Sequence, residues 1–406
     1  MLAKYFKSMP VLSDHVSGRP DPGPYPAALA SVFSAELFGA AEREIPQWPG
    51  YAPTPLREMD QLADELGLAG ILYKDESGRF GLGSFKALGG AYAVMRVLAG
   101  QMDHCAVSDI RTGVHRQAVA NMVVSAATDG NHGRSVAWGA QQAGCRCRIY
   151  IHRDVSLGRQ RAMEELGAEV VRTAGDYDDS VRVCARVSAQ HGWHVVSDTS
   201  YPGYDQIPRD VMAGYGVMAA EILVEILTEV PAQGPAPSHL ILQAGVGGLA
   251  AAFCARLWLQ LGTNMPKVII VEADRAPSLL ASARAGALKS VAIEQETIMA
   301  GLSCGEVSPL AWDVLHRCTD HFVTMADDLV PSAMRCLASG ELGGGAIEGG
   351  ECATPGLLTL IAIARDGAHD RRLRREFGLD ETSRVLLIGS EGATDPNIYQ
   401  AIMTAE

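Results

Sequence analysis

The chain has 406 residues, of which 48% are hydrophobic and 20% charged, so it can bury a large core and is not a disordered polypeptide. Subtracting 34 basic from 47 acidic side chains leaves a formal net charge of −13, which disfavours nucleic acid as a partner. No run approaches the ~18 consecutive apolar residues of a membrane span, so we expect a cytoplasmic protein without a membrane partner.

The first fifty residues are rich in proline and predict an extended arm with one helix near 35–43. From Gly70 onward, short apolar runs alternate with amphipathic stretches. The predicted strands are 71–73, 122–126, 148–152, 169–172, 194–197, 239–242, 268–271 and 385–388, and amphipathic helices are predicted at 158–166, 178–190 and 208–227. Such alternation is typical of βαβ units, and it predicts an α/β fold with mostly parallel sheet.

The first candidate loop, 74–86, ends at Lys86, between Phe85 and Ala87 at the start of a predicted helix. Burial and the positive end of a helix both disfavour the ammonium form of a lysine. A neutral amine at Lys86 could act as a nucleophile. The alternative is a lysine that extends into solvent from the first turn.

The second candidate loop, 128–133, follows an apolar run and opens another predicted helix. Backbone amides at a helix start bind carboxylates or phosphates, and the glycines of this loop let a ligand approach the main chain. Asp129 would then lie beside the bound anion. The alternative is an ordinary helix cap formed by an aspartate or asparagine.

Two further loops follow predicted strands. The segment 243–250 has the geometry of a phosphate-binding loop. It also matches GxGxxA with Glu272 at the end of the next strand, as in a dinucleotide-binding motif. In the segment 389–395, Ser390 could hydrogen-bond a ring nitrogen of a flat ligand, or the segment could be a polar turn.

Taken in order, these loops resemble the fold type II family of pyridoxal phosphate enzymes, which includes threonine and serine dehydratases, serine racemase and the tryptophan synthase β subunit. The strings that carry the resemblance are KDESGRFGLGSFKALGGAYA (74–93), TDGNHGRSVAWGAQQAG (128–144), DYDDSVR (176–182), VVSDTSYPGYDQIP (195–208), LQAGVGGLA (242–250), IMAGLSCGE (298–306) and SEGATDP (390–396). The resemblance implies two open, twisted, mostly parallel sheet domains, a large one from 1–90 and 211–406 and a small one from 91–210, with the cofactor between them.

The resemblance also assigns roles position by position. Lys86 would bind pyridoxal 5'-phosphate covalently, Asn131 would hydrogen-bond its phenolic oxygen, and Ser390 would face its pyridine nitrogen. The remaining cofactor contacts would come from Phe85, Gly245, Val246, Gly247 and Gly248. The implied substrate contacts are Ser84, Thr128, Asp129, His132, Tyr177 and Asp198. Lys86, Asp129 and Asp198 would be catalytic, relatives are commonly homodimers, and no metal ligand is implied.

Within this family the motifs are most similar to those of the ammonia-lyases that act on 2,3-diaminopropionate. This implies α,β-elimination from both the D and the L isomer, giving pyruvate and two ammonia. Carboxylates near Cβ can hold the leaving amine as ammonium and relay a proton. Two bases on opposite faces of the cofactor ring, Lys86 and Asp129, would let both stereoisomers react.

The chain also departs from the pattern of these relatives. Gly83-Ser84 precedes the Phe-Lys pair where the nearest relatives have Asn-Ala, and the segment 349–355 places Pro355 near the cofactor loop. These differences leave two other substrates open, a larger β-substituted amino acid or a hydroxy amino acid that is dehydrated or racemised. An NAD-dependent oxidoreductase and an inactive binder of pyridoxal phosphate are the remaining alternatives.

The nine cysteines are odd in number and form no CxxC pair. Structural zinc sites and disulfide frameworks usually show regular cysteine spacing. We therefore expect free thiols, with no zinc site and no disulfide framework.

Overall fold

The computed structural model describes residues 1–18, 20–21, 23–128, 130–228, 236–365 and 372–405, with only the backbone for 227 and 228. The strands of these ranges are β1 (Asp14–Ser17), β2 (Leu56–Glu58), β3 (Gly70–Asp75), β4 (Val123–Ala127), β5 (Arg146–Ile151), β6 (Glu169–Arg172), β7 (His194–Val195), β8 (His239–Gln243), β9 (Lys267–Ala273), β10 (His321–Met325) and β11 (Arg384–Gly389).

The α-helices of the same ranges alternate with these strands through most of the chain. They are α1 (Ala27–Ala30), α2 (Ala35–Glu44), α3 (Asp60–Leu66), α4 (Lys86–Ala99), α5 (Val107–Arg111), α6 (Arg116–Val119), α7 (Asn131–Ala143), α8 (Leu157–Glu164), α9 (Tyr177–His191), α10 (Gln206–Thr228), α11 (Gly248–Leu261), α12 (Ser278–Ala285), α13 (Pro309–Cys318), α14 (Val330–Ser339), α15 (Pro355–Ala364), α16 (Arg372–Phe377) and α17 (Pro396–Thr404). No helix in the described ranges is both long and apolar enough to cross a membrane.

The strands form two sheets. The larger has the order β1-β10-β9-β8-β11-β3-β2, with parallel pairing throughout except at its edge strands β1 and β2, which are antiparallel to their neighbours. The smaller has the order β6-β5-β4-β7 and is parallel throughout. The predicted α/β fold with two mostly parallel sheets is therefore confirmed.

Each predicted strand corresponds to an observed one, but three strands were not predicted. β1 and β2 are short edge strands whose residues are mostly half-buried, and β10 is a buried strand of five residues. The small sheet uses residues between 123 and 195, and the large sheet uses residues on both sides of that range. The proposed domain boundaries at 90 and 210 stay predictions.

The helices α4, α7 and α10 pack closely in the main hydrophobic core. Glycines make the α4–α10 contact possible: a Cβ atom on Gly89 would lie 2.3 Å from the ring of Tyr215, and one on Gly214 would lie 2.2 Å from the carbonyl oxygen of Leu88. A second buried cluster, which includes residues of α14 and α15, packs with β3, β8 and β9. Lys86 is the first residue of α4, so this packing fixes the helix that carries it.

Both sheets contribute strand ends to one cleft. The loops after β4, β7, β8 and β11 all line it, together with the start of α4. Ligands of open α/β sheets bind at the carboxyl ends of parallel strands. This cleft is therefore the candidate functional site.

Candidate active site

Lys86 is the first residue of α4, and the residue before it is hydrogen-bonded to the segment that follows β11. The amide of Phe85 donates to the carbonyl of Ser390 at 3.1 Å, and the Phe85 ring contacts that of Tyr215 edge to face with centroids 4.8 Å apart. The Nζ atom of Lys86 lies 5.6 Å and 5.9 Å from the centroids of these two rings. The rings of Phe85 and Tyr215 thus lie beside the Lys86 side chain, which lines the cleft.

The ammonium of Lys86 pairs with the carboxylate of Asp198, which follows β7. Burial is the largest single influence and lowers the pKa of Lys86, but the charge of Asp198, the nearby Tyr215 and the hydrogen bond to Asp198 together raise that pKa above the usual value for lysine. The described chain thus favours the ammonium form of Lys86 over the neutral amine suggested by the sequence. The physical reason is the nearby carboxylate, which local sequence around Lys86 does not reveal.

Asp198 is itself held ionised. Burial alone would raise the pKa of its carboxyl, but the charge of Lys86, the nearby His132 and a hydrogen bond from Lys86 lower it below the ordinary range. The loop is fixed by Tyr204, whose hydroxyl donates to the carbonyl of Val195 at 2.8 Å and accepts from the amide of Ser197 at 3.0 Å. Asp198 is thus a preset carboxylate beside the Lys86 amine.

His132 places a neutral imidazole beside this pair. Its Nε2 atom lies 2.8 Å from the carbonyl of Val196, which can only accept, so Nε2 carries the ring proton. Burial lowers the pKa of His132 and keeps the ring neutral. Its Nδ1 atom lies 3.9 Å from Oδ2 of Asp198 and has no hydrogen-bond partner within the described ranges. This lone pair can accept a hydrogen bond inside the cleft.

The start of α11 carries a glycine-rich loop with backbone amides that are unpaired among the described residues. Within the described part of the chain, no residue accepts a hydrogen bond from the amides of Gly245, Val246, Gly247 or Gly248. Gly247 has φ +90°, and a Cβ atom at Gly245 would lie 2.8 Å from the carbonyl oxygen of Gly301. Unpaired amides at a helix N-terminus favour a phosphate.

Ser390 and Gln243 border the floor of the cleft. The Ser390 hydroxyl donates to the carbonyl of Cys352 at 2.9 Å, and the Gln243 amide donates to that carbonyl and to the carbonyl of Ile388, each at 2.8 Å. Ser390 lines the cleft as predicted. To donate to a ring nitrogen, its hydroxyl would have to leave Cys352.

Asn131 begins α7 and lines the cleft, but its side-chain amide donates to the carboxylate of Glu391. The other oxygen of Glu391 accepts from the amide of Cys352 at 2.9 Å. Glu391 was not among the predicted site residues, although it stands next to Ser390 in the sequence. It ties α7 to the segment after β11 and orients Asn131.

The remaining predicted substrate contacts differ in position. Thr128 and Tyr177 line the cleft, and the Thr128 hydroxyl accepts from the amides of Gly130 and Gly133. Ser84 does not line it, because its side chain is buried where the backbone pairs with that of Glu391. Asp129 lies outside the described residues.

The dinucleotide alternative fails at Glu272. Its carboxylate accepts from the amides of Leu279 and Leu280, each at 2.7 Å, and is fully buried. Burial raises the pKa of Glu272 to about 8. This carboxylate caps α12 and cannot reach a ribose hydroxyl, so the GxGxxA match is not a dinucleotide-binding motif.

Several lining residues were not predicted from the sequence. They include Arg159, Tyr215, Cys304 and Cys352, which come from separate parts of the chain. Tyr215 has no local motif around it and reaches the cleft only because α10 packs on α4.

Comparisons with known proteins agree with this geometry. Residues 47–353 match the family described as pyridoxal-phosphate dependent enzyme. The chain is 39% identical over 375 residues to diaminopropionate ammonia-lyase of Escherichia coli (strain K12), covering 92% of each chain. The solved structure of the E. coli enzyme with D-serine aligns at a TM-score of 0.87 and 35% identity, covering 98% of both chains. Its complex with an aminoacrylate-PLP azomethine reaction intermediate aligns at 0.85 and 34%, also over 98% of both.

Proposed function

The chain belongs to the pyridoxal-phosphate dependent enzymes, and from this we propose that it catalyses the α,β-elimination of ammonia from D- and L-2,3-diaminopropionate. Pyruvate and two ammonia are the products. The observation that carries the proposal is the ionised Asp198 against the Lys86 amine, because a substrate with a second amine needs an anionic partner near Cβ.

The cleft fits the cofactor. The amides of 245–248 offer unpaired donors for its phosphate, and a side chain at Gly245 would fill the space beside them. Lys86 and Asn131 line the same cleft as this loop, and Ser390 lies on its floor. When bound, pyridoxal phosphate supplies the electron sink that stabilises negative charge at the substrate Cα.

The protein supplies proton transfer and orientation. Lys86 takes the Cα proton of one isomer at Nζ. Asp198 holds the β-amine as ammonium, so that when the Cβ–N bond breaks its electron pair goes to nitrogen and neutral ammonia leaves. His132 accepts a hydrogen bond at Nδ1 and orients that amine. The enamine released from the cleft hydrolyses to pyruvate and the second ammonia.

Asp129 takes the Cα proton of the other isomer in this proposal. The reason is its sequence position between Thr128 and Gly130, two residues that line the cleft. We expect Asp129→Ser to abolish turnover of D-diaminopropionate while the L isomer keeps most of its rate. Equal loss for both isomers, or unchanged D turnover, would contradict this role.

The test of the whole proposal combines a spectrum with a keto acid assay. We expect purified protein to be yellow, to release pyruvate from diaminopropionate, and to lose both properties in Lys86→Ala. The matched control is Lys289→Ala, which removes an exposed lysine outside the cleft. A colourless wild-type protein that cannot bind the cofactor would end the proposal.

A second candidate is elimination from a hydroxy amino acid, because a similar structure was solved with D-serine. Assaying D- and L-serine, threonine and diaminopropionate side by side separates the two. The ammonia-lyase proposal requires the largest kcat/KM for diaminopropionate. A larger value for any hydroxy amino acid assigns the chain to the second candidate.

We also propose that the enzyme acts in the cytoplasm as a homodimer. The dimer is proposed because relatives are commonly homodimers. Light scattering of the holoenzyme measures its molar mass directly. A mass equal to one chain of 43.1 kDa would contradict it.

A further inference from the structure

A cluster of metal-binding side chains lies outside the cleft. Cys105 follows α4, Asp109 lies in the short helix α5, and His115 immediately precedes α6. One ligand atom from each, the thiol sulfur, a carboxylate oxygen and an imidazole nitrogen, lies within 4.8 Å of the other two. None of the three lines the cleft, so the mechanism does not use them.

The surroundings of these three side chains orient them but leave ligand atoms available to bind an ion. Asp109 accepts from the amide of Ala106 at 2.9 Å, which fixes one carboxylate oxygen and orients the other. Among the described residues, the thiol of Cys105 makes one long hydrogen bond, of 3.5 Å, to the Ala106 carbonyl. The side chain of His115 accepts no capping hydrogen bond from the amides of α6, and its ring has no hydrogen-bond partner within the described ranges. All three residues are half-buried.

We propose that Cys105, Asp109 and His115 bind a divalent transition-metal cation of the zinc class. A soft thiolate, an imidazole and a carboxylate together suit Zn²⁺, whereas Mg²⁺ and Ca²⁺ prefer oxygen ligands alone. The thiolate and the carboxylate balance the two positive charges of the ion. Three protein ligands leave the fourth tetrahedral position to water.

The required movement is small. Tetrahedral zinc with bonds of about 2.0 to 2.3 Å places its ligand atoms roughly 3 to 4 Å apart. The three atoms already lie within 4.8 Å of each other, so side-chain rotation can close the site. The sequence predicted no zinc site because the cysteines show no regular spacing. A site with a single cysteine has no such spacing, so that criterion could not detect it.

Binding would connect the end of α4 to the start of α6. The intervening helix α5 has five residues, of which Ile110 is buried. A helix this short has little stability of its own. The ion would therefore stiffen the segment 105–115, and because the thiol must lose its proton, affinity should rise with pH.

Calorimetric titration of the chelator-treated holoenzyme with Zn²⁺ tests the site. We expect one ion per chain, with the dissociation constant raised at least tenfold in Cys105→Ser and in His115→Ala. Asp109→Asn keeps an acceptor for the Ala106 amide but removes the charge, so it should weaken binding without unfolding α5. The matched controls, Cys145→Ser and His191→Ala, should bind as the wild type does.

Co²⁺ gives a second readout that does not depend on activity. The absorption spectrum of cobalt-loaded wild type minus that of cobalt-loaded Cys105→Ser, recorded at equal cofactor content, is the measured quantity. This difference spectrum should show thiolate-to-cobalt charge transfer in the near ultraviolet and tetrahedral d–d bands in the visible. Zinc affinity that is equal in wild type, Cys105→Ser and His115→Ala would overturn the proposal. A difference spectrum without the charge-transfer band would overturn it as well.

Discussion

The amine of Lys86 and the carboxylate of Asp198 form an ion pair between the first residue of α4 and the loop after β7. The pair joins residues 112 positions apart and spans the two sheets of the molecule. A lysine must lose its proton before it can attack an aldehyde. In the proposed mechanism, Asp198 therefore influences cofactor attachment as well as the leaving amine.

We expect Asp198→Asn to shift cofactor attachment to lower pH. Asp198 raises the pKa of Lys86, so its removal lowers that pKa and increases the neutral fraction of the amine at any given pH. The measurement is the rate of colour formation when apoenzyme is mixed with pyridoxal phosphate across a pH series. Turnover of diaminopropionate should nevertheless fall by about 10² to 10⁴.

Asp64→Asn is the control for that experiment, because it removes an exposed carboxylate on α3, outside the cleft. It should leave the pH profile of colour formation unchanged. A profile for Asp198→Asn that coincides with wild type would show that Asp198 does not set the charge of Lys86.

Tyr204→Phe should lower kcat by about tenfold with a smaller change in KM. The lost hydroxyl leaves the half-buried amide of Ser197 and the carbonyl of Val195 without this partner, so the loop that carries Asp198 loosens. Steady-state kinetics with diaminopropionate measures both constants. If Tyr204 acts by positioning Asp198, the pH of cofactor attachment should also move toward that of Asp198→Asn.

Tyr201→Phe is the matched control. Its ring stacks on that of Tyr204 with centroids 4.8 Å apart, and about half of its surface is exposed. Loss of its hydroxyl removes no hydrogen bond of the described structure, so kcat should stay within twofold of wild type. An equal loss in both variants would indicate a general packing defect rather than positioning of Asp198.

Gly247→Ala should weaken cofactor retention at least tenfold. Gly247 has φ +90°, which L side chains rarely adopt, and its Cβ atom would lie 3.0 Å from Cβ of Ala311 and 3.2 Å from Leu315. The strained loop would turn its amides away from the phosphate. The fraction of cofactor retained after gel filtration measures the effect.

Gly262→Ala provides the comparison. Gly262 ends the same helix α11, also has positive φ at +54°, and has open space where a Cβ atom would stand. Both substitutions strain the backbone, but only Gly247 lies in the loop 245–248 that is proposed to bind the phosphate. Similar cofactor loss in both variants would assign the effect to helix strain alone.

The parts of this site that could be predicted are those determined by residues close together in the sequence. The glycines of 245–248 follow a buried strand and precede a helix, and the run around Lys86 opens a helix, so periodicity and turn chemistry were sufficient. The charge of Lys86 depends on Asp198, and the orientation of Asn131 depends on Glu391, 260 residues away. Such pairings arise from the packing of the two sheets, and spacing along the chain does not encode them.

The edge strand β1 should become less stable on acidification. Nε2 of His15 and Nδ1 of His321 lie 3.0 Å apart where β1 pairs with β10, so one nitrogen donates and the other accepts. Burial lowers the pKa of both rings, that of His321 to about 4. A proton taken up by the accepting nitrogen would turn both facing nitrogens into donors and break the contact.

Other charges around the two rings act in both directions. Near His15, Glu376 and Asp14 raise its pKa while Arg372 and Arg284 lower it. Near His321, the charges of His15, Lys267 and His239 all lower its pKa. Burial is the largest influence on each ring, so both stay neutral in the folded chain at neutral pH.

The sign of the effect follows from proton binding. When β1 is detached from β10, the ring of His321 binds a proton below about pH 6.5, the ordinary pKa of histidine. When β1 is paired with β10, the ring stays neutral down to about pH 4. Docking of β1 is therefore fully stable above pH 7 and loses at most about 2 kcal/mol by pH 5. Hydrogen exchange of the β1 amides at pH 7 and pH 5, corrected for intrinsic rates, measures this loss.

His321→Gln isolates the contribution of the histidine pair. It removes the titrating ring while keeping a polar side chain, so protection of β1 should be lower at pH 7 but should fall much less between pH 7 and pH 5 than in wild type. His191→Gln, which changes a histidine of α9 far along the chain from either strand, should retain the wild-type pH dependence. If His321→Gln shows the same acid-induced loss of protection as wild type, another group weakens β1, and the proton shared by His15 and His321 is not the cause.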